Sequence, residues 1–450
     1  MLQSLFDCVF DEGLCKTSPN LYEATLLVSG DILAPSPWPR LASFCFCTSY
    51  SEVSATHQIS VPRAIDQCGP SRRNPRVASG TGDCAQRTSL RRRARPQAVA
   101  CVFRQSHLRP DPLHFFSPST TMPISTALTN LLHIRTPFVG AAMQWVSVPR
   151  LVAAVSNAGG LGVLTALTQP NPEALRQAIR ETRSLTSKPF GVNITLLPSI
   201  NPPDYAGYAR AAVEEGVRIF ETAGNNPGKI IKYLKENGCI VIHKCTTIRH
   251  AKSAAKHGVD VLSIDGFECA GHPGEDDIGG LVLLARAAKE LDIPYIASGG
   301  IADARGIAAA LALGAAGVNM GTRFMCTVES PIHHNIKQKI VDSSEQDTTH
   351  IFRTLHNTAR VFKNKVAQEV VTIERRGNAK FEDIRDLVSG ARGRIVYENG
   401  DPDYGIWTAG IAMGLITDIP TCEALISRLE KETEAIIGNM AALVVTKAKL

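Results

Sequence analysis

The sequence predicts an α/β protein, a (β/α)8 TIM barrel with a smaller helical domain inserted after the eighth strand. Two observations support this fold class. From Pro137 onward, short apolar segments alternate with amphipathic ones eight times, as in a parallel sheet built from strand–helix units. The first strand runs into Gly140-Ala-Ala-Met-Gln-Trp, which is not the G-x-G-x-x-G turn expected there in an open, doubly wound sheet. The closed barrel is therefore the favoured architecture.

The first 121 residues show neither the two-residue period of a strand nor the 3.6-residue period of a helix. Pro, Ser and Arg are frequent among them, and Arg91-Arg92-Arg93-Ala94-Arg95 forms a basic run. We expect residues 1–121 to be a disordered or non-native N-terminal extension, because such a composition buries too little apolar surface to offset the entropy of folding. Asp11-Glu12 makes the opening acidic, which argues against an organellar transit peptide. Met122 resembles a natural start.

The barrel is predicted to span residues 122–333. Several of its helices stop at a glycine, among them Gly216 and Gly314, where a left-handed residue ends a helix at little cost. Asn171 and Asp303 are plausible N-caps. Strands are expected at 137–142, 160–166, 190–196, 218–223, 240–245, 259–265, 293–298 and 317–320. Helices are expected at 148–158, 171–186, 203–215, 227–237, 247–257, 280–291, 303–313 and 331–341.

After the eighth strand the alternation ends. We predict a helical cap domain over residues 334–425 that covers the barrel mouth. It contains helices at Gln346–Val366 and Lys380–Ser389, followed by small residues around Trp407. Residues 426–450 are predicted to complete a C-terminal helix that starts near Thr421 and returns to the barrel.

Composition excludes several classes of protein. Hydrophobic residues make up 44% and charged residues 20%, which is ordinary for a soluble globular chain. Most of the net charge of +6 lies in residues 1–121, so general nucleic-acid binding is not implied. No apolar run is long enough to cross a membrane. The 12 Cys form no C-x-x-C pair, which suits free thiols in a reducing compartment and predicts a cytoplasmic location. Cys269 and His272 lack a second pair of ligands, so no metal site is expected.

In a barrel, functional residues lie at the carboxyl ends of the strands. Glycine-rich turns follow the last two strands, at Ser298-Gly299-Gly300 and Gly321-Thr322. Converging backbone N–H groups at these turns make a phosphate site, and the Thr322 hydroxyl adds a donor. The alternative is that the glycines only make tight turns.

Two ionisable residues lie at other strand ends. Lys244, near the end of the fifth strand, is a charge where a structural barrel would place an apolar residue. It can stabilise negative charge on a cofactor ring, or pair with Asp265 or Glu221. His272, held between Gly271 and Pro273 after the sixth strand, can transfer a proton near neutral pH. The alternative for His272 is a surface position.

The motifs at these strand ends resemble the nitronate monooxygenase (2-nitropropane dioxygenase) family from residue 122 to about residue 440. They appear in the family's order: Ala142-Met-Gln-Trp-Val, Asn157-Ala-Gly-Gly-Leu-Gly, Phe190-Gly-Val-Asn-Ile-Thr, His243-Lys-Cys, Asp265-Gly-Phe-Glu-Cys-Ala-Gly-His, Ala297-Ser-Gly-Gly-Ile-Ala and Asn319-Met-Gly-Thr-Arg-Phe.

The resemblance implies an FMN-dependent oxidoreductase. His272 falls on the family's catalytic His, which positions the nitronate or acts as a base. The substrate would be an alkyl nitronate, oxidised with O2 to a carbonyl compound and nitrite. The residues implied to bind FMN are Ala142, Met143, Gln144, Thr195, Lys244, Asp265, Gly271, Ser298, Gly299, Gly300, Gly321 and Thr322.

Two features depart from the family pattern. Ala141-Ala142 replaces the usual Gly-Gly before Met143, which narrows the space beside the flavin. The loop that contains His272 resembles the family's NAD(P)H:quinone reductase branch, whose members use the same FMN site to reduce quinones. The small-molecule substrate is therefore a nitronate, or NAD(P)H with a quinone. Two further alternatives are a flavin-free phosphosugar isomerase or lyase and a flavin-binding module without turnover. Neither nucleic acid nor membrane is expected as a partner.

Overall fold

The computed structural model describes residues 124–196, 202–224 and 227–444. The predictions for residues 1–121 and for Met122 lie outside this part of the chain.

Eight parallel strands form a closed barrel, in which each strand pairs with the next and the eighth pairs with the first. This confirms the predicted fold class, and each strand lies within two residues of its expected bounds. The strands are β1 (Phe138–Gly140), β2 (Leu161–Thr165), β3 (Phe190–Leu196), β4 (Ile219–Gly224), β5 (Ile240–Cys245), β6 (Val261–Asp265), β7 (Tyr295–Ser298) and β8 (Val318–Met320).

The helices between the strands also begin and end close to the predicted residues. Asn171 and Asp303 accept N-cap bonds from the backbone, as predicted. The helices are α1 (Ala127–Leu132), which precedes β1, then α2 (Pro149–Asn157), α3 (Pro172–Leu185), α4 (Tyr205–Glu214), α5 (Gly228–Glu236), α6 (Ile248–Lys256), α7 (Gly280–Glu290) and α8 (Ala304–Ala312).

The barrel interior changes character along its axis. At the amino ends of the strands it is apolar, with Val139, Leu161 and Val261 packed against Leu128 of α1. Nearer the carboxyl ends, inward positions carry polar groups, which are buried. The buried polar residues are Thr165, Asn193, Thr195, Glu221, Ser263, Asp265, Ser298 and Asn319, and Lys244 among them is partly buried. Such a layer needs partners for its donors and acceptors, which an apolar layer does not.

The region after β8 differs from the prediction. The helix expected at Gln346–Val366 is wrong, because this segment forms the antiparallel pair of β9 (Thr348–Ile351) and β10 (Ala359–Phe362). Ile351, Ala359 and Val361 of this pair enter a second hydrophobic core separate from that of the barrel. The remaining elements are α9 (Thr322–Met325), α10 (His334–Val341), α11 (Lys365–Glu374), α12 (Gly390–Asn399) and α13 (Cys422–Ala442).

The helix predicted at Lys380–Ser389 is also wrong, because only a short 3-10 turn at Phe381–Asp383 forms there. The glycine-rich stretch that follows forms α12 instead. At Gly393 a Cβ would lie 2.6 Å from the carbonyl oxygen of Ile406, so the glycine permits close packing of the helix. Propensity alone disfavours a helix that starts with glycine, and tertiary packing overrides it.

The last helix, α13, packs against α2 and α8 on the outside of the barrel. No helix in the described ranges is long and apolar enough to cross a membrane.

Candidate active site

A cavity of about 960 Å³ opens at the carboxyl ends of the barrel strands. All thirteen residues that the sequence assigned to cofactor binding or catalysis line it, although they come from the ends of six different strands and the loops that follow them. They are Ala142, Met143, Gln144, Thr195, Lys244, Asp265, Gly271, His272, Ser298, Gly299, Gly300, Gly321 and Thr322.

The turn after β7 depends on two glycines. Gly299 and Gly300 have φ angles of +91° and +77°, which other residues rarely adopt. A Cβ on Gly299 would also lie 2.8 Å from the backbone nitrogen of Cys269. The glycines therefore serve the turn itself, and they leave backbone atoms uncovered on the cavity side.

The turn after β8 is different. Gly321 has a φ of −97°, and a Cβ there would meet nothing closer than the Met143 sulfur at 3.5 Å. The fold therefore does not require glycine at this position, and the open space adjoins the cavity. Thr322 accepts a hydrogen bond from the Gly410 N–H at 3.0 Å, which leaves its hydroxyl proton free to be donated. Backbone and hydroxyl donors of this kind fit a phosphate group.

Lys244 forms an ion pair with Asp265, with 3.3 Å between Nζ and Oδ1. The pairing that the sequence left as an alternative is thus present. Burial acts to lower the pKa of Lys244, but the carboxylates of Asp265 and Glu221 outweigh it, so the pKa lies above its ordinary value. Lys244 is therefore a permanent cation, and it lines the cavity.

Glu221 lies beneath this pair and is only 1% exposed. Its Oε1 accepts a hydrogen bond from Asn193 Nδ2 at 2.8 Å, while its Oε2 has no partner in the described part of the chain. Burial and the neighbouring Asp265 charge raise its pKa, against the opposing effect of Lys244. Thr195 joins the same chain of bonds, since its hydroxyl donates to Asn193 Oδ1 at 2.8 Å.

Asn319 is a cavity residue that sequence reasoning passed over as part of a motif. It is 2% exposed, and neither its Nδ2 nor its Oδ1 has a partner among the described residues. A buried carboxamide without partners costs about 1–3 kcal/mol, which a polar ligand in the cavity would offset. This orphaned amide, the permanent cation and the open backbone turns fit a polar, anionic cofactor with a ring and a phosphate.

His272 is held by the backbone of the segment before β10. Its Nδ1 lies 3.1 Å from the carbonyl oxygen of Thr358, which can only accept, so Nδ1 carries the proton and Nε2 is the basic nitrogen of the neutral ring. Burial lowers the pKa of His272, although the bond to Thr358 acts in the opposite direction. The imidazole therefore remains neutral to lower pH than a free His.

The loop that carries His272 is bound to the cap. Gly271 and Arg360 of β10 exchange two backbone hydrogen bonds, and both carboxylate oxygens of Glu275 accept bonds from Thr358. Glu268 accepts two bonds from the Gly280 N–H at the start of α7. Both glutamates hold the loop in place.

The cap supplies cavity residues that the sequence did not single out. Trp407 is buried, stacks on Phe362 at 4.3 Å between ring centroids, and lines the cavity with Tyr397 and Thr408. In the sequence, the only local signal for Trp407 was its position among small residues.

Cys269, in the loop after β6, also lines the cavity. Burial raises the pKa of the Cys269 thiol well above its usual range, so this residue is a neutral thiol and not a nucleophile.

Comparison with known proteins gives consistent matches. The family model described as nitronate monooxygenase matches residues 125–432. A protein of Rhodococcus jostii named (3aS,4S,5R,7aS)-5-hydroxy-7a-methyl-1-oxo-octahydro-1H-indene-4-carboxyl-CoA dehydrogenase is 33% identical, over 71% of this chain and 99% of its own. A nitronate monooxygenase of Paraburkholderia phytofirmans is 31% identical, over 70% of this chain and 96% of its own. The solved structure of FabK from Thermotoga maritima matches with a TM-score of 0.66 and 35% identity, over 71% of this chain and 100% of the FabK chain.

Proposed function

We propose, from the premise that the chain belongs to the nitronate monooxygenase family of oxidoreductases, that it binds FMN and oxidises alkyl nitronates with O2 to carbonyl compounds and nitrite. The observation that carries this proposal is the convergence of a phosphate-type turn pair, a permanent cation and a neutral His on one cavity.

The cofactor would be held from both sides of the cavity. The open backbone at Gly299, Gly300 and Gly321, with the Thr322 hydroxyl, suits the phosphate. Lys244 suits a ring that gains negative charge, because it keeps its proton at all ordinary pH values. Thr195, Asp265, Gly271 and Ser298 complete the polar lining, and Ala142, Met143 and Gln144 line the cavity next to β1.

Bound FMN supplies two-electron and O2 chemistry. The part of His272 would be to place the substrate and, when the neutral nitro compound binds, to accept its α-proton at Nε2 and so form the nitronate, since Nδ1 is committed to Thr358. A nitronate is an anion, so the Lys244 cation favours its binding in the cavity, whereas Nε2 of the neutral imidazole has no proton to donate to it. The neutral Cys269 thiol takes no part as a nucleophile.

A second candidate function is hydride transfer with a nicotinamide donor, as in the quinone reductase branch that the His272 loop resembles. The relatives add a related possibility, because one of them is named as a CoA dehydrogenase. Membership of an oxidoreductase family speaks against the flavin-free phosphosugar isomerase or lyase. We also propose a cytoplasmic location, supported by the five cysteines in the described part of the chain, which are all buried and free.

The purified full-length protein separates these functions. Flavin absorbance bands after gentle isolation are expected, and a colourless protein would reject FMN dependence. Anaerobic NADH that bleaches the flavin rapidly would favour the reductase. An absence of bleaching, with O2 uptake and nitrite release from propyl nitronate, would favour the oxygenase. Flavin without either turnover would leave a binding module.

A further inference from the structure

The active-site cavity extends from the carboxyl ends of the strands along one face of α6, which runs back towards the amino ends. His250, Ser253 and His257 line it there, with Pro227 before α5 and His243 of β5. Residues three, four and seven positions apart share one side of a helix, so this face is continuous. The face from His250 to His257 spans about 10 Å along the helix axis.

The extension leaves room for a second ligand. The cavity volume of about 960 Å³ lies at the upper end of the range for ligand pockets. None of the thirteen residues assigned to the cofactor or to proton transfer belongs to α5 or α6. A ligand in the extension would therefore lie beside the cofactor and reach towards Lys244 and His272.

The two helices that border the extension are basic. Together α5 and α6 contain six Lys or Arg and a single acidic residue, Glu236. Lys235 pairs with Asp260, Lys252 with Glu290, and Lys232 with Glu236. In the described part of the chain, no ion pair engages Lys229, Arg249 or Lys256, all of which are exposed.

The excess of positive charge is local to the surface of α5 and α6 that carries Lys229, Arg249 and Lys256, called the α5–α6 face below. On α3, by contrast, Arg176 pairs with Glu214, the last residue of α4, and Arg180 pairs with the next residue, Glu215, so the charges on that neighbouring face are balanced. An excess of unpaired cations beside an open cavity attracts an anionic ligand and raises its local concentration.

We propose that the α5–α6 face binds the pyrophosphate of a nucleotide ligand whose reactive end enters the cavity beside Lys244 and His272. This inference deepens the second candidate function, hydride transfer from a nucleotide substrate, and rests on FMN binding in the same cavity, because the nucleotide would meet the flavin there. Two sources share the chemistry, a reduced nicotinamide dinucleotide and a coenzyme A thioester. Both join a reactive arm to an adenine nucleotide through a pyrophosphate, which matches a basic face joined to a deep cavity.

The test is direct binding to the flavin-loaded full chain, measured by calorimetry at low and high salt. The probes are NADPH and coenzyme A, each compared with a fragment that lacks the pyrophosphate, reduced nicotinamide mononucleotide and pantetheine. We expect one or both intact nucleotides to bind more tightly than their fragments, and to lose affinity as salt rises. Preference for NADPH would identify the hydride donor as the source, and preference for coenzyme A would identify the thioester.

The double variant R249E/K256E should weaken binding by roughly tenfold or more at low salt, because it reverses two exposed charges. Lys431→Glu is the matched control, since Lys431 is an exposed base on α13, away from α5 and α6. Unchanged thermal unfolding midpoints would show that both variants fold. Equal affinity in R249E/K256E and in the wild type, or no binding of either nucleotide, would overturn the inference. Because binding is measured without turnover, such a result in protein that still oxidises nitronate leaves the proposed function standing.

Discussion

The β7–β8 side of the cavity and its β4–β6 side offer a ligand different chemistry. Ser298, Gly299, Gly300, Gly321 and Thr322 present backbone and hydroxyl groups and no ionisable side chain. On the opposite side, Glu221, Lys244, Asp265 and His272 are ionisable, and burial or a neighbouring charge acts on three of them strongly enough to shift the pKa.

The difference concerns what each side requires of the rest of the fold. A glycine turn needs only its own backbone conformation and the space around it. A buried charge needs a partner, and the partner comes from another strand or from the cap. Substitutions of the ionisable residues should therefore leave a partner in another segment unpaired, whereas substitutions in the glycine turns should disturb only the turn and the ligand beside it. The following predictions use that difference.

Lys244→Met should have the largest effect. It leaves the Asp265 carboxylate, whose side chain is 8% exposed, without its cation. Removing one partner of a buried pair costs about 3–5 kcal/mol, and the flavin should be lost as well. Urea denaturation measures the first effect and flavin content the second. The double variant K244M/D265N should recover much of the stability, and a single variant as stable as the wild type would contradict the pairing.

His272→Ala should come next, with turnover reduced roughly 10²- to 10⁴-fold if His272 transfers a proton. Flavin content and stability should change little. In the wild type, the acid limb of kcat/KM should lie below pH 6.5, because the pKa of His272 is lowered and the neutral ring is the active form. His356→Ala, which alters another His of the same cavity, is the control. Equal turnover in H272A and in the wild type would remove His272 from the reaction.

The two glycine turns should respond unequally. Gly299→Ala should destabilise even the flavin-free protein by about 1–3 kcal/mol, because φ is +91° and the new methyl would overlap Cys269. Gly321→Ala should fold normally, since its Cβ finds ordinary contacts, but should bind FMN more weakly. Thermal unfolding of the apoprotein and FMN titration distinguish the two. Wild-type FMN affinity in G321A would exclude close approach of the phosphate to this residue.

Stability should fall in mild acid. Burial lowers the pKa of both His243 and His350 to about 4. The unfolded chain, with His near pH 6.5, then binds more protons than the folded one, so stability is complete above about pH 6.5 and declines towards pH 4. Denaturation curves between pH 4 and 7 measure this loss, and H243Q/H350Q should flatten it. A stability independent of pH over this interval would count against neutral buried imidazoles.

Glu221→Gln should have the smallest effect. Burial raises the pKa of Glu221, so the folded chain holds this proton to higher pH than a free carboxyl does, and glutamine can keep the bond from Asn193. A carboxyl with a raised pKa loses stabilisation as pH rises above its unfolded pKa, so the variant should gain relative to the wild type between pH 5 and 8. Chemical denaturation at both pH values is the measurement. A destabilisation at pH 8 would mean that Glu221 is ionised and needed by Lys244.

The sequence predicted the barrel closely and the cap poorly. Barrel strands and helices follow local periods of two and 3.6 residues, and each lies near its expected bounds. In the cap, Gln346–Val366 contains residues compatible with either state, and pairing between β9 and β10 decides in favour of strands. Gly390–Asn399 has a weak local signal for a helix, and Gly393 lets this segment pack closely against the backbone of Ile406.

The site divides in the same way. The sequence alone predicted the order of the strand ends and the glycine turns. It also placed Lys244 and His272 at the same mouth of the barrel, because a parallel barrel has the carboxyl ends of all its strands on one face. Tertiary structure alone decided that Lys244 pairs with Asp265, that Asn319 lacks a partner, and that Thr358, 86 residues along the chain, fixes the proton on His272 Nδ1. The physical reason is that protonation and pairing depend on burial and on distances between remote segments, and neither is encoded in a local stretch of chain.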